Sequence, residues 1–191
     1  MSDQLMDGPD AGRLNDEIQQ LREKVAQLQQ RVEQLDQLAH QDSLINLPNR
    51  RGFLRALERF IDRASRYGEP SAMLYLDLNG LKIINDSFGH QAGDQALIHV
   101  AATLVGGVRK SDVVARIGGD EFGILLAHSD DEKAHEAASR LVNLIAGNGF
   151  VHDSGVLPLS VAIGVTMISG DDAPDDVLAR ADEEMYRRKA A

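Results

Sequence analysis

The chain has 191 residues, 43% of them hydrophobic, and contains no cysteine. This length suits one globular domain with an appendage, and the lack of cysteine excludes disulfides and thiolate metal sites. The formal net charge of −10 opposes non-specific binding to nucleic acid or anionic membranes, so an anionic substrate would need a divalent cation or a few well-placed basic side chains.

Residues 1–12 contain two glycines and a proline and are predicted to be a disordered leader. The segment is polar and acidic at its start, unlike a signal peptide. No apolar run in the chain approaches the roughly 20 residues that cross a bilayer. We therefore predict a cytoplasmic protein that has no membrane segment and does not bind nucleic acid.

Residues 13–41 are predicted to form a parallel, dimeric coiled coil. Their apolar positions alternate spacings of four and three, which gives the 3.5-residue period of a supercoiled helix. These positions are Leu14, Ile18, Leu21, Val25, Leu28, Val32, Leu35 and Ala39. Leucine at every d position, with β-branched residues at most a positions, favours two parallel strands. A helix packed on its own globular domain is the alternative.

The charged residues beside this seam agree with a parallel pair. Glu17 of one chain would face Arg22 of the other, and Arg31 would face Asp36. Exposed ion pairs contribute only fractions of a kcal/mol each, so they set orientation more than stability. The sequence therefore predicts a parallel homodimer through residues 14–39.

Residues 42–191 are predicted to form one mixed α+β domain. Apolar spacing and glycine or proline breaks define its elements. The predicted helices are 50–67, 81–88, 93–105, 130–146 and 174–189, and the predicted strands are 71–78, 113–117, 122–127 and 157–168. The second and third strands flank Gly118–Glu121, which predicts a hairpin.

Three polar features accompany these elements. Asp77 lies at the end of a buried strand, where α/β folds often bind ligands. Asp120 and Glu121 are adjacent carboxylates at the hairpin tip. The third feature is a polar corner between two helices, made of Asn85, Asp86, Gly89, His90, Gly93 and Asp94. Each alone is typical of a solvated turn or helix cap, but together they form a candidate oxygen-ligand site for Mg²⁺.

The segment Arg116–Phe122, which reads Arg-Ile-Gly-Gly-Asp-Glu-Phe, resembles the signature of GGDEF diguanylate cyclases. Further motifs, in the order of that family, extend the resemblance from Asp42 to Lys189. They lie at 42–51, 77–86, 89–94 and 181–189. The resemblance implies a central, mostly antiparallel sheet flanked by helices, as in nucleotide cyclases and polymerase palms. It also implies that two facing subunits condense two GTP molecules into cyclic di-GMP and pyrophosphate.

The resemblance assigns roles to individual residues. The Asp77 and Glu121 carboxylates and the Leu78 carbonyl would hold Mg²⁺ or Mn²⁺, with two ions expected per active site. Asp120 would be a further metal ligand or the base that deprotonates the attacking hydroxyl. The groups expected to contact phosphates are the backbone N–H groups of Gly80 and Leu81 and the side chains of Lys82 and Lys189.

Asn85 and Asp94 are expected to read the base of the nucleotide. An ionised aspartate only accepts hydrogen bonds, and guanine offers N1–H and the 2-amino group as adjacent donors. Adenine has an unprotonated N1 in that place. Asp94 therefore favours guanine, with a helix N-cap or turn residue as the alternative.

Arg109 and Asp112 form an RxxD motif that is followed by five residues and then Gly118. This spacing resembles the product-inhibition site of the family. The arginine would fork onto a phosphate or a guanine edge, and the aspartate would accept from guanine. A surface salt bridge is the alternative.

The leading hypothesis is an active diguanylate cyclase, because Asp77, Asp94, Asp120 and Glu121 are all present. Two other hypotheses stay open. One is a catalytically weak receptor that binds cyclic di-GMP at the RxxD motif, and the other is a scaffold whose coiled coil binds another protein.

Overall fold

The computed structural model describes residues 9–152 and 155–189. The chain divides into two compact units, residues 1–39 and 40–191. Helix α1 (Pro9–His40) begins four residues before the predicted start of the coil. Residues 9–12 of the predicted leader are therefore helical, and residues 1–8 of that prediction lie outside the described residues.

Helix α1 carries an exposed apolar stripe. The seven larger side chains of the predicted seam, from Leu14 to Leu35, are each 38–65% exposed. A helix of 32 residues is about 48 Å long, and burial of such a stripe needs a partner surface. Neither α1 nor any other helix in the described ranges combines the length and apolar character that crossing a membrane requires.

In the second unit, the helices are α2 (Arg50–Tyr67), α3 (Leu81–Phe88), α4 (His90–Gly107), α5 (Asp131–Gly147) and α6 (Pro174–Lys189). The strands are β1 (Ser71–Leu78), β2 (Val113–Arg116), β3 (Glu121–Ala127), β4 (Phe150–His152), β5 (Gly155–Leu157) and β6 (Val161–Ile168). Local signals set the ends of α2. The Asn49 side chain accepts from two backbone N–H groups of its first turn, and Gly68 ends it with a left-handed φ of 63°.

Strand β1 is central in the four-stranded sheet, whose order is β2-β3-β1-β6. All neighbouring strands are antiparallel, so the predicted mixed fold with a mostly antiparallel sheet is confirmed. Leu74 and Leu76 pack in the larger core with α4 and α5, whereas Met73 and Tyr75 pack in the core with α2 and α6. Since residues of a strand alternate between its faces, Asp77 belongs to the α2–α6 face.

The prediction of one strand over residues 157–168 is wrong. Strand β5 ends at Leu157 and pairs with β4 in a separate two-stranded sheet, and β6 begins at Val161. Pro158 lacks an amide hydrogen and interrupts the ladder. The β4–β5 hairpin was not predicted because three-residue strands have too little periodicity to detect.

Candidate active site

Two carboxylates lie side by side at the ends of neighbouring strands. Asp77 in β1 is the direct cross-strand partner of Glu121 in β3, and such partners project to the same face with Cβ atoms roughly 5 Å apart. Like charges in this position are destabilising. The Nζ atom of Lys189 lies 2.6 Å from Oδ1 of Asp77, which shows that this strand end attracts a cation.

The hairpin tip leaves room for the Glu121 carboxylate. The N–H groups of Ile117 and Gly118 donate to the Glu121 carbonyl at 2.9 and 3.3 Å. A Cβ atom at Gly118 would overlap the Glu121 carboxylate. Gly118 does not have a positive φ, so the glycine provides space for the Glu121 carboxylate rather than a special backbone conformation.

Arg116 fastens the hairpin tip to the first turn of the second unit. Its Nε and Nη2 atoms donate to the Gly119 carbonyl at 3.2 and 2.8 Å, and its Nη1 atom donates to the Asp42 carboxylate at 3.3 Å. That carboxylate also accepts from two backbone N–H groups of its own turn, both at 2.9 Å. The Asp42 and Arg116 side chains are only 17% and 15% exposed. Because water has little access to them, their ion pair can fix the position of the loop.

The expected base-reading residues flank the corner between α3 and α4. Asn85 lies in the last turn of α3 and Asp94 near the start of α4. Gly89, with a φ of 85°, joins the helices. A Cβ atom at Gly93 would overlap the Asn85 amide. The corner therefore packs the Asn85 side chain against the residue that precedes Asp94.

The groups expected to contact phosphates surround the N-terminus of α3. Gly80 caps this helix with a φ of 78°, and no side chain caps it. Leu81 and Lys82 form its first turn, where backbone N–H groups have no partner within the helix. A helix N-terminus favours anions, and this one follows Asp77 closely in sequence.

The RxxD motif lines a separate cavity of about 400 Å³. Arg109 and Asp112 line it together with Lys133 and Arg140 of α5. The Asp112 carboxylate accepts from the N–H groups of Arg109 and Ala127, at 2.8 and 3.1 Å. Asp112 therefore holds the turn between α4 and β2. Three basic side chains, one from this turn and two from α5, line the cavity together with the acidic Glu136.

Within the described ranges, residues 9–152 and 155–189, no three histidine, aspartate or glutamate side chains lie close enough together to form a metal site. Asp77, Asp120 and Glu121 thus do not form one three-carboxylate cluster. The pair that does form, Asp77 with Glu121, fits Mg²⁺, which takes oxygen ligands and usually completes its shell with water and substrate phosphates. The backbone carbonyl of Asp120 accepts a hydrogen bond from the N–H group of Leu78 at 2.9 Å.

Comparison with known proteins decides the family. The sequence profile described as diguanylate cyclase, GGDEF domain, matches residues 39–191. The chain belongs to this family. Among GGDEF relatives, response regulator PleD of Caulobacter vibrioides is 36% identical over 157 residues, and diguanylate cyclase TpbB of Pseudomonas aeruginosa is 38% identical over 153 residues. These alignments cover 81% and 79% of this chain and 35% of each relative, so the chain spans about a third of their length.

The GGDEF fold also agrees with a solved structure. The coiled coil and GGDEF domain of DgcB from Caulobacter crescentus, in complex with c-di-GMP, superposes with a TM-score of 0.84. The match covers 93% of this chain and 94% of that one, at 24% sequence identity. At this identity the likeness establishes the shared fold.

Two features of this GGDEF domain escaped the sequence analysis. Asp42 and Arg116 both lie in the motifs that carry the resemblance, but nothing in the sequence indicates that they pair across 74 positions. Lys133 and Arg140 are seven residues apart on α5. That spacing places them on one face of a helix. From it, the sequence could have predicted a basic helix face able to bind the same anion as the RxxD motif.

Proposed function

We propose that this GGDEF domain is a diguanylate cyclase, which converts two GTP molecules into cyclic di-GMP and two pyrophosphates. The observation that carries the proposal is the pairing of Asp77 with Glu121 beside Lys189. Two opposed carboxylates reduce stability unless a cation joins them. A divalent cation that carries a triphosphate meets that need.

The residues divide the work of binding. Asp77, Glu121 and the Leu78 carbonyl would hold Mg²⁺ or Mn²⁺, with two ions expected per site. Bound metal neutralises phosphate charge and lowers the pKa of the attacking hydroxyl. Asp120, which among the described residues does not gather with Asp77 and Glu121, would serve as the base or would join the metal as a further ligand when the metal binds. Phosphates would be bound by the groups at the N-terminus of α3 and by the last helix: the N–H groups of Gly80 and Leu81, Lys82 and Lys189.

The reaction joins nucleotides held by two copies of the domain. The 3′-hydroxyl oxygen of one GTP bonds to the α-phosphorus of the other and loses its proton. The bond from that phosphorus to the β-phosphate oxygen breaks, and pyrophosphate leaves. The reciprocal attack closes the ring. Positioning and charge neutralisation dominate such a transfer, so turnover requires two domains that face each other.

Base selection follows from Asn85 and Asp94 at the α3–α4 corner. The aspartate accepts from the N1–H and 2-amino groups of guanine. Adenine has an unprotonated N1 in that place, which cannot donate to the aspartate. We expect incubation of the protein with GTP and Mg²⁺, at dimer-forming concentration, to yield cyclic di-GMP by mass spectrometry. ATP alone should yield no cyclic product. Absence of any cyclic dinucleotide from GTP rejects the proposed function.

The exposed stripe of α1 is the proposed dimer contact. A parallel coil through residues 14–39 would raise the effective concentration of one domain near the other. The shared fold with a chain that contains a coiled coil and a GGDEF domain supports a coiled coil in α1.

Paired substitutions in α1 test the dimer. We expect Leu21→Asp with Leu28→Asp to reduce specific activity at least tenfold at low protein concentration, because charged seam residues oppose helix pairing. Gln20→Asp with Gln27→Asp adds the same charge away from the seam and should leave activity near wild type. A specific activity of the seam variant that matches wild type on dilution contradicts a dimer through α1.

The RxxD cavity favours a second candidate function, binding of cyclic di-GMP as a receptor. Arg109, Lys133 and Arg140 line the cavity, and guanidinium groups suit phosphates and guanine edges. In an active cyclase the same binding gives product inhibition. Calorimetry with cyclic di-GMP separates the two functions: binding together with turnover indicates feedback, whereas binding without turnover indicates a receptor.

A further inference from the structure

Strand β6 is at the edge of the four-stranded sheet, and no described strand lies beside its outer side. The Asn79 N–H group donates to the Ser160 carbonyl at 2.9 Å. Because antiparallel partners alternate between bonded and non-bonded pairs, this contact fixes which β6 residues bond to β1. In the register of the two strands, these are the even-numbered residues. The odd-numbered residues, from Val161 to Met167, therefore direct their N–H and C=O groups to the outer edge.

Most of these outward backbone groups have little access to water and no partner. Val161, Ile163 and Val165 are only 7%, 3% and 7% exposed, and their side chains pack in the core with α5. The Arg180 side chain donates to the outward Met167 carbonyl at 3.2 Å. Within the part of the chain that the structure describes, no group bonds to the outward N–H and C=O groups of the other three residues. Since buried backbone groups nearly always have a partner, this edge is suited to a further strand.

The sequence of β6 does not protect its outer edge. Natural edge strands usually carry a charged residue, a proline or a bulge, each of which opposes pairing with another chain. The eight residues of β6, Val161–Ile168, include neither a charged residue nor a proline. Their register with β1 is continuous, without a bulge. The edge can therefore accept another strand.

A groove of about 470 Å³ lies along the first half of this edge. On the α5 side it is lined by Ala138, Ser139, Val142 and Asn143, and on the α6 side by Arg188. Helices α5 and α6 pack on opposite faces of the sheet, so the edge lies between them. A single extended segment fits this position, whereas β6 of a second copy would bring its own two helices into the same space.

The two walls of the groove select the chemistry of its occupant. Ala138 and Val142 offer apolar contacts on the α5 side. The Nε atom of Arg188 binds Glu184 at 3.1 Å, and no described residue accepts from its two terminal nitrogens, which suit a carboxylate. Among the described lining residues none is acidic. Because side chains of a strand alternate between its faces, a sequence that alternates apolar and acidic residues complements both walls.

We propose that the outer edge of β6 binds an extended segment of a partner protein, in which apolar and acidic residues alternate. The segment adds a fifth strand to the sheet, its apolar side chains contact α5, and a carboxylate binds Arg188. From Val161 to Val165 the edge is about 13 Å long, so five residues fill it. The site is distinct from the proposed cyclase reaction and needs neither GTP nor a metal.

Amide hydrogen exchange of the full chain, followed by NMR, tests the edge itself. Without a peptide, the amides of Val161, Ile163 and Val165 should exchange at least about tenfold faster than those of Ala162 and Gly164, because no bond to a neighbouring strand slows them. Slow exchange of the odd-numbered amides at every protein concentration shows that the chain already covers the edge. Slow exchange that appears only at high protein concentration shows that a second copy covers it. Either result overturns the proposal.

A short peptide tests the chemistry of the groove. The probe is fluorophore-labelled Glu-Val-Glu-Val-Glu with an amidated C-terminus, and its binding to the full chain is followed by fluorescence anisotropy. The matched probe has lysine in place of each glutamate. The chain has a net charge of −10, so its overall field favours the lysine peptide. We nevertheless expect the glutamate peptide to bind at least about tenfold more tightly, through Arg188. Equal or tighter binding of the lysine peptide rejects the proposal, as does no binding of the glutamate peptide.

Backbone methylation distinguishes strand addition from charge attraction. Two further glutamate probes carry N-methyl groups, one on both valines and the other on the second and third glutamates. Alternate N–H groups of a strand point to the same side, so only one of these probes loses hydrogen bonds to β6, and its Kd should rise at least about tenfold. Paired residues of antiparallel strands project to the same face, so loss with the valine probe indicates an antiparallel segment and loss with the other a parallel one. Loss with both probes, or with neither, contradicts strand addition.

Charge reversal in α6 locates the bound peptide. Arg188→Glu should raise the Kd of the glutamate peptide at least about tenfold. Arg187→Glu reverses the same charge at a neighbouring described residue that does not line the groove, and it should raise the Kd less than threefold. Both variants are compared where circular dichroism shows them folded. Equal effects of the two variants reject a carboxylate contact at Arg188.

Peptide-induced protection of individual amides gives the final check. The glutamate peptide should slow exchange at Val161, Ile163 and Val165. If it slows exchange at Gly80 and Leu81 instead, the peptide binds at the N-terminus of α3 and the proposal fails. Cyclic di-GMP formation is not measured in any of these experiments, so their outcome stands whether or not the cyclase proposal succeeds.

Discussion

The carboxylates at the active-site hairpin face another carboxylate, whereas the carboxylate at the RxxD turn faces backbone N–H groups. Asp77 and Glu121 face each other across two strands, and the Lys189 side chain pairs with Asp77. Asp112 instead accepts from two backbone N–H groups. A carboxylate bonded to the backbone stabilises the fold, whereas two opposed carboxylates reduce stability and indicate a ligand that needs them. On this comparison, Asp77 and Glu121 serve ligand binding, whereas Asp112 serves the stability of the fold.

The largest effect is expected for Glu121→Gln. Cyclic di-GMP formation should fall at least about 100-fold, because one charged ligand of the cation is lost. The free energy of unfolding should stay equal or rise by up to about 1 kcal/mol, because the repulsion of Asp77 is removed. Product analysis and thermal unfolding measure the two quantities. If the variant were less stable but retained activity, Glu121 would be a structural residue and not a ligand of the cation.

Asp42→Asn should affect both properties. The variant weakens a partly buried ion pair with Arg116 and two hydrogen bonds to backbone N–H groups, which corresponds to about 2 kcal/mol of unfolding free energy. The hairpin tip loses one of its supports, so turnover should fall several-fold. Urea unfolding and initial rates test this. Arg51→Gln, at an exposed position in the first turn of α2, serves as a control and should change neither quantity.

Asp112→Asn and Arg109→Ala should divide the RxxD motif into a structural and a binding residue. We expect Asp112→Asn to lower the free energy of unfolding by about 1–2 kcal/mol, because two backbone N–H groups lose a charged acceptor. Arg109→Ala should keep the wild-type stability and initial rate while it relieves inhibition by added cyclic di-GMP. Inhibition curves and thermal unfolding distinguish them. Equal stability losses in both variants would contradict this division.

The smallest effect is expected at Asp172, a purely structural carboxylate. Its oxygens accept from Arg180 at 2.8 Å each and from the Ser169 N–H group at 2.7 Å. The Arg180 hydrogen bond is the main reason that the pKa of Asp172 lies below its ordinary value of 3.8. Asp172→Asn should lower the free energy of unfolding by about 1 kcal/mol at pH 7.

The pH dependence of this loss checks its cause. A carboxyl group whose pKa is lowered on folding contributes stability above its unfolded pKa and loses it as pH falls through the folded value. The difference between wild type and Asp172→Asn should therefore be constant above about pH 5 and shrink below pH 3.8. A difference that stays constant down to pH 2 would show that ionisation is not its source.

Much of the fold could be predicted because local signals set the ends of its elements. The predicted helices 50–67 and 174–189 and the strand 71–78 agree with α2, α6 and β1 residue for residue. Asn49, Gly68 and Pro174 mark boundaries that short-range chemistry determines. The β4–β5 hairpin could not be predicted, because its three-residue strands form through pairing rather than propensity.

The sequence by itself determined the order of the elements, the heptad stripe and the motifs that carry the family resemblance, since each depends on residues near one another in the chain. Only the tertiary structure decided that Asp77 lies opposite Glu121, that Lys189 pairs with Asp77, and that Asp42 meets Arg116. These contacts depend on strand register and helix packing. Both are set by burial of the whole core, which no short segment of the chain encodes.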